Sequence, residues 1–394
     1  MKFKLKDLIS IKHGYAFKGE DFSDQPTQLQ ILTPGNVTIG GGFQFGKGKW
    51  LSLTTEYPKE YEFKAGDMFV SMTDLSKAGD TLGYPAIIPV SDRVMLHNQR
   101  LGRVEVLPNV EEVVLKKYLY YAMRTREYHA YIVSGATGTT VRHTSPSKIL
   151  DYEFDLPSYQ EQQRIVGILS PIEDKINVLN DVNDNLLDLG ITYTEEMLVK
   201  NDYPVSTIKS MNLTVSDHVA NGSFKALKDN VEIVEDGGYA LFLRNTDLKA
   251  DLNGDRRFVT KSSYEFLKKS RLFGGEVIIS NVGDVGSVYH VPYLDVPMVA
   301  GNNVVFLQSE ESWLTDYLYF YFKSRIGQHD IDSITSGSAQ QKFNKTDFRA
   351  LEIPVILEHD VTILTKLIDN LNSNTQEIRT LMDTRDTLLK KLLN

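Results

Sequence analysis

Cysteine is absent from this 394-residue chain, and with it disulfides and thiolate metal sites. A reducing, cytoplasmic setting fits that absence. No apolar run approaches the ~18 residues of a membrane span, so no membrane partner is expected. The first ten residues, MKFKLKDLIS, are basic but have neither a continuous apolar stretch nor a small-residue cleavage site, and they read as no signal peptide. Catalytic signatures are missing too. There is no His-Glu-x-x-His, and the eight histidines are scattered. No Asn-Pro-Pro-aromatic sequence of the adenine-methylating enzymes occurs. GGFQFGKGKW at residues 41–50 imitates a phosphate loop, but Gly48 stands where a Ser or Thr must meet magnesium, so a glycine-rich hairpin is expected. DLNGD at residues 251–255 has the look of a calcium loop, yet the first and last ligand positions fall on Lys249 and Thr260. The chain is expected to carry no catalytic residue, no cofactor and no metal.

What is present is an ordinary globular composition, 41% hydrophobic and 24% charged, at a length that implies two or three domains. The net charge of −9 argues against a nucleic-acid partner only until it is localised. Residues 151–200 hold 3 Lys+Arg against 11 Asp+Glu, whereas residues 1–150 hold 19 against 15. The acidity is concentrated in one segment, and local charge governs phosphate contact.

The order of elements repeats after about two hundred residues. KYLYYAMRT at 117–125 returns as DYLYFYFKS at 316–324, an offset of 199. A polar, glycine-containing loop follows each, SGATGTTVRHTSPSKILDYEFDLP at 134–157 and SGSAQQKFNKTDFRALEIP at 336–354. Upstream, residues 65–89 have a shorter counterpart at 274–292, and LTPGNV at 32–37 stands where LRNTDL does at 243–248. Short β-branched runs between Gly, Pro and Asp turns read as strands. The aromatic segments read as helices whose rings are expected in the core rather than as base-stacking platforms.

Each copy leaves through a similar exit into a long helix, LPSYQEQQRI at 156–165 and IPVILEHDVTIL at 353–364. Ser158 to Glu161 is a capping-box pattern, and a second start is expected at Pro171, which suits a first helical position. Ile172, Ile176, Leu179, Val182 and Leu186 then recur at three- and four-residue steps. Leu364, Leu367, Leu371, Ile378, Leu381, Leu388 and Leu392 do the same at the end of the chain. One such seam needs a partner helix, and two in one chain can supply each other.

The exit LPSYQEQQRIVGILSPIEDKI, the loop SGSAQQKFNKTDF and the order domain–helix–domain–helix resemble the specificity (S) subunit of type I restriction–modification systems. The second exit departs from that pattern, because Val355-Ile356-Leu357-Glu358-His359 lacks the Gln-Gln-Arg of 162–164. The resemblance implies an α+β chain of two mixed α/β target recognition domains, residues 1–157 and 201–354, each reading one half of a bipartite site on double-stranded DNA. It implies that helices at 158–200 and 355–394 pair as an antiparallel coiled coil, space the two readers and dock two methyltransferase (M) subunits. Motor-nuclease (R) subunits complete such complexes, which use S-adenosylmethionine, ATP and magnesium on those other subunits. Residues 172–198 would span about 40 Å as a helix, somewhat more than one ~34 Å DNA turn.

Phosphate anchors need Lys or Arg, and base readers need bidentate amides or guanidinium. On that ground the candidates in the first copy are Lys12, Lys18, Thr139, Thr140, Arg142 and Lys148. In the second they are Lys225, Arg244, Gln340, Gln341, Lys342 and Lys345, with Arg244 equally placed for an ion pair to Asp247. Two rival functions remain open at this level: a coiled-coil adaptor that binds only protein, and a two-domain enzyme with an unrecognised site. Salt-dependent duplex binding separates a DNA reader from the adaptor.

Overall fold

The computed structural model describes residues 2–46, 49–252, 255–337 and 340–393. The chain forms two compact units, residues 1–174 with 381–394, and residues 175–380. In the first, Ile9–His13, Leu101–Val106, Met68–Ser71 and Pro85–Ile87 make an antiparallel sheet in that order. Met68–Ser71 is buried on both faces, as a continuous apolar run in a central strand requires. A second sheet runs Phe22–Ser23, Lys49–Leu51, Leu29–Ile31, Val94–Leu96, its last pair parallel. The expected phosphate-loop mimic thus lies in the connection between paired strands, with Lys47 and Gly48 outside the described residues. Lys2–Lys4 pairs with Glu153–Asp155, which ties the start of the unit to its exit.

The second unit repeats this topology. Thr214–Asp217, Val304–Gln308, Val277–Ser280 and Val288–His290 form the equivalent sheet. Its companion has five strands, again with one parallel pair, Ala240–Leu243 beside Met298–Ala300. Val205–Thr207 pairs with Glu352–Pro354 as the first strand does with its exit. The aromatic segments are helices, Lys116–Ala122 and Ser312–Lys323. Tyr118, Tyr121, Tyr317, Phe320, Tyr321 and Phe322 are all buried, so their rings belong to the cores. Asn253 and Gly254 of the calcium-loop mimic lie outside the described residues.

The central helix is Tyr159–Lys200 and the C-terminal helix is Thr362–Leu393. Ser158 Oγ accepts the Glu161 amide at 3.3 Å, but the Glu161 carboxylate turns to Arg164 instead of back to the cap. Gln162 is the stronger anchor. It is fully buried, accepts from the Leu115 amide at 2.9 Å, and donates to the Val113 and Pro157 carbonyls. The expected second start at Pro171 does not exist: the helix runs through it. Pro171 and Gly167, whose carbonyl loses its helical donor, are both exposed, so the orphaned oxygen is not sealed in a core. The C-terminal helix begins later than residue 355. Val355 still donates to the Pro204 carbonyl at 2.8 Å, and Asp360 caps the Leu357 amide before a short 3-10 turn, Glu358–Val361.

Within each unit the helix segments pair antiparallel. In the second, Lys175 lies 3.5 Å from Glu377, Asn183 meets Asn374, and Tyr193 donates to the Asp360 carbonyl at 3.0 Å. Leu186, Leu187 and Ile191 share a core with Leu364, Leu367, Ile368 and Leu371. In the first, Ile165 and Leu169 share one with Leu388, Leu389 and Leu392. Ile176 and Leu179 are buried, as is Ile378, while Ile172, Leu381 and Leu388 are half-buried. Val182 is 39% exposed and leaves the seam. Steps of four and three from Ile172 pass through Ile176, Leu179, Asn183 and Leu186, so Asn183 holds the position expected for Val182.

Candidate nucleic-acid interface

The polar loop of each unit folds into a small hairpin and docks on the loop that follows a central strand. In the first, Thr137 and His143 exchange backbone bonds of 2.9 and 3.0 Å around a turn. Gly138 sits there at φ +88°, and a Cβ would fall 2.0 Å from the Val141 carbonyl oxygen, so only glycine closes the turn. Thr139 and Thr140 project at its exposed tip. Arg142–His143 then pairs with Thr73–Asp74. Asp74 organises the loop beneath, accepting from the amides of Ser76 and Thr81 at 2.6 and 2.5 Å and from the Thr81 hydroxyl at 2.7 Å. Burial opposes its charge, but those donors outweigh it and hold the carboxyl below the usual carboxylate range.

The second unit builds the same device from different residues. Ser336 and Lys342 exchange two 2.9 Å bonds around Gly337, at φ +103°. Lys342 also bridges to Val282, and Gly283 donates to the Gln341 carbonyl at 3.1 Å. Gln340, Gln341 and Lys342 are exposed, while Ser338 and Ala339 lie outside the described residues. Each hairpin therefore gathers three of the sequence candidates: Thr139, Thr140 and Arg142 on one, Gln340, Gln341 and Lys342 on the other.

The remaining candidates are placed elsewhere. Lys148 stands over the Tyr131 ring, 3.5 Å from its centroid, half-buried in the short helix Pro146–Leu150. Lys345 Nζ is 2.8 Å from Asp217 Oδ1. Lys18 is 3.5 Å from Glu20 on an exposed turn. Lys12 is on the edge strand, 2.7 Å from Glu105, and lines an open cleft with Lys59, Lys64 and Arg103. His97 lies at that cleft, where burial pushes its pKa down to about 4, and its Nε2 lies 3.0 Å from the Leu101 carbonyl oxygen. Arg244 is committed to structure: it grips both oxygens of Asp247 at 2.9 and 2.6 Å and the Asp255 carbonyl at 2.7 Å.

Lys225 has neighbours that sequence reading did not join to it. Phe224 beside it is 85% exposed. Asn221, three residues earlier, accepts from the Lys269 amide at 2.9 Å and donates to the Ser270 hydroxyl, which brings exposed Lys268 and Lys269 alongside. The pair of lysines is visible in the sequence; the Asn221 hydrogen bonds that bring it to residue 221 are not. Among the described residues, no group of three or more His, Asp or Glu side chains is placed to hold a metal ion. No helix among the described residues is long and apolar enough to cross a membrane.

Two units of one topology, each with a glycine-closed polar hairpin and a share of two long helices, define a duplicated recognition scaffold. The chain belongs to the family of the type I restriction modification DNA specificity domain, whose profile matches residues 1–187 and again 191–381. The type I restriction enzyme MjaIX specificity subunit of Methanocaldococcus jannaschii is 23% identical over 188 residues, 48% of this chain and 41% of that protein. That match therefore spans less than half the length of the relative. A type-I restriction-modification system S subunit from M. genitalium is similar in structure, with a TM-score of 0.52 at 16% identity, covering 100% of this chain and 96% of that one. At that identity the likeness shows a shared fold. The HsdS subunit from Thermoanaerobacter tengcongensis aligns over 100% of this chain and 96% of its own, at 14% identity and a TM-score of 0.32.

Proposed function

We propose that this chain is the DNA sequence-specificity subunit of a type I restriction–modification complex. Each unit reads one half of a bipartite duplex site, and the paired helices set the distance between halves and dock two methyltransferase subunits. The chain itself is non-catalytic. S-adenosylmethionine, ATP and magnesium act on the methyltransferase and motor-nuclease subunits. The observation that carries the reading is the double family match laid over a doubled topology, because one reader per half-site needs two scaffolds of the same plan. The two hairpins support it further. Hydroxyl and cationic donors stand together on the first hairpin and amide and cationic donors on the second, donor sets that suit base edges and phosphates.

Dissimilar tips on one scaffold fit two different half-sites better than one shared reaction. The test is methylation-sensitive sequencing of DNA from cells that express the chain with its methyltransferase partner. A split adenine-methylated motif is the expected result. Replacing residues 1–157 with the equivalent segment of a relative should change one half of that motif and leave the other intact. A change in both halves together would exclude two independent readers, and turnover by the purified chain alone would exclude a non-catalytic subunit.

A further inference from the structure

Side chains from three parts of the first unit meet in its interior: Arg124 after the aromatic helix, Glu173 from the central helix, and Arg385 from the C-terminal helix. Arg124 is 0% exposed at its side chain, and Glu173 and Arg385 are nearly so. Arg124 donates to Glu173 Oε1 at 2.9 Å and to the Tyr120 hydroxyl at 2.8 Å, and that hydroxyl donates to the same carboxylate at 3.1 Å. Arg385 approaches Glu173 Oε2 to 3.8 Å. Arg124 Nε donates at 2.7 Å to the carbonyl of Gly40, while Nη2 is buried without a hydrogen-bond partner. Gly41, the next residue, is at φ +83°, and a Cβ there would lie 2.8 Å from Arg124 Cγ. The glycine turn after the Leu29–Ile31 strand is thus seated directly on a guanidinium that the central helix holds.

Stability alone does not call for this arrangement. Desolvating two guanidinium groups and a carboxylate costs about what their attraction returns, and an apolar contact of equal volume would serve as well. What the charged cluster adds is direction, since each bond is satisfied at one relative placement of turn and helix. The second unit places other charges here: Arg325, just after its aromatic helix, pairs with Glu195 of the central helix at 2.6 Å through a 91% exposed side chain, and Asp251 favours the charged forms of Lys323 and of Arg379 on the C-terminal helix. Lys323 stands 199 residues after Arg124, over the Tyr319 ring at 5.2 Å, and among the described residues it forms no ion pair to either long helix.

We propose that Arg124 and Glu173 are positioning residues that fix the first reader on the spacer helices and so restrict the half-site spacings the complex accepts. The proposal rests on the reading of the chain as a bipartite DNA reader. A turn no longer tied to the central helix is free to shift on it, and the step that the DNA spacing registers is the ~3.4 Å rise of one base pair. Loss of the lock should therefore widen spacing tolerance without changing either half-site.

The experiment is methylome sequencing with the full chain and its methyltransferase partner, comparing wild type, Glu173→Gln, and the double variant Arg124→Met with Glu173→Gln. The double variant removes the Arg124–Glu173 pair at similar volume and leaves Arg385 with Asp386 at 2.8 Å, so it should be less destabilised than the single variant, which strands the Arg124 guanidinium; thermal unfolding monitors this. Methylation of sites whose spacer is one base pair longer or shorter should rise by about tenfold, what one charge-assisted hydrogen bond contributes. An unchanged spacer distribution in the folded double variant, with only total methylation or stability reduced, overturns the proposal. Absence of any split motif with the wild-type chain overturns the underlying DNA-reader function, and the lock with it.

Discussion

Asn374 Nδ2 donates a 2.8 Å hydrogen bond to Asn183 Oδ1, joining the two long helices inside an otherwise apolar seam of the second unit. The C-terminal seam steps by three and four through Leu364, Leu367, Leu371, Asn374, Ile378, Leu381, Arg385, Leu388 and Leu392. Its two polar positions are the ones that meet a polar residue of the central helix, Asn374 with Asn183 and Arg385 with Glu173. Polar pairs at seam positions specify register at some cost in stability. Asn374→Leu strands Asn183 and should destabilise the protein by about 1–3 kcal/mol, whereas adding Asn183→Leu should recover most of that loss. Urea unfolding of the two single variants and the double variant gives the coupling directly. Additive losses would show that the two amides are not a unit.

Neighbouring apolar residues of the central helix should differ sharply on truncation. Leu179→Ala removes a buried side chain and should cost on the order of 2–4 kcal/mol. Val182→Ala acts on an exposed position and should change the unfolding midpoint little. Equal losses at the two sites would place the seam on the wrong face of the helix.

Gly190 lies in the same helix where it crosses Phe320, and a Cβ there would fall 2.1 Å from Phe320 Cε1. Alanine gains about 1 kcal/mol of helix propensity over glycine, yet overpacking should outweigh it by about 1–3 kcal/mol. Gly190→Ala is expected to lower the melting temperature, and Phe320→Leu in the same chain should restore part of the loss. A melting temperature raised by Gly190→Ala would mean the helices do not approach this closely.

His97 should make the first unit sensitive to acid. Its pKa is held near 4 in the folded protein, against about 6.5 when unfolded, because burial disfavours the charged ring. Between those values the unfolded chain binds the extra proton, so this contribution is full above pH ~6.5 and is lost as pH falls toward 4. The loss should reach at most about 3 kcal/mol. Denaturation midpoints of wild type and His97→Gln, measured across that range, should converge as the pH drops if His97 carries the effect. Parallel pH profiles would assign the acid sensitivity elsewhere.

The duplication, the α+β class and the two helical seams were legible in the sequence, because each is written in local periodicity or in an offset between similar segments. Aromatic runs at 118–121 and 317–322 declared buried helices for the same reason: no other place accommodates so many rings. Glycines closing the two hairpins were legible as loop signals, and Thr139, Arg142, Gln340 and Lys342 as donors near them. Local signals also misled at two points. Proline's preference for a first helical position placed a helix start at Pro171, where one helix runs through. Hydrophobic periodicity placed Val182 in the seam, although the heptad position belongs to Asn183, since hydrophobicity marks what is able to be buried and not which face meets a partner.

Only the tertiary structure decided how distant residues are used. Arg244 is spent on Asp247 and a carbonyl, Lys345 on Asp217, and Lys268 and Lys269 come beside residue 221 through pairings that no local pattern encodes. Arg124, Glu173 and Arg385 lie in three separate segments, each unremarkable where it stands in the sequence. Their meaning comes from the folded chain bringing them within hydrogen-bonding and ion-pair reach, away from water, where every charge must find its partner.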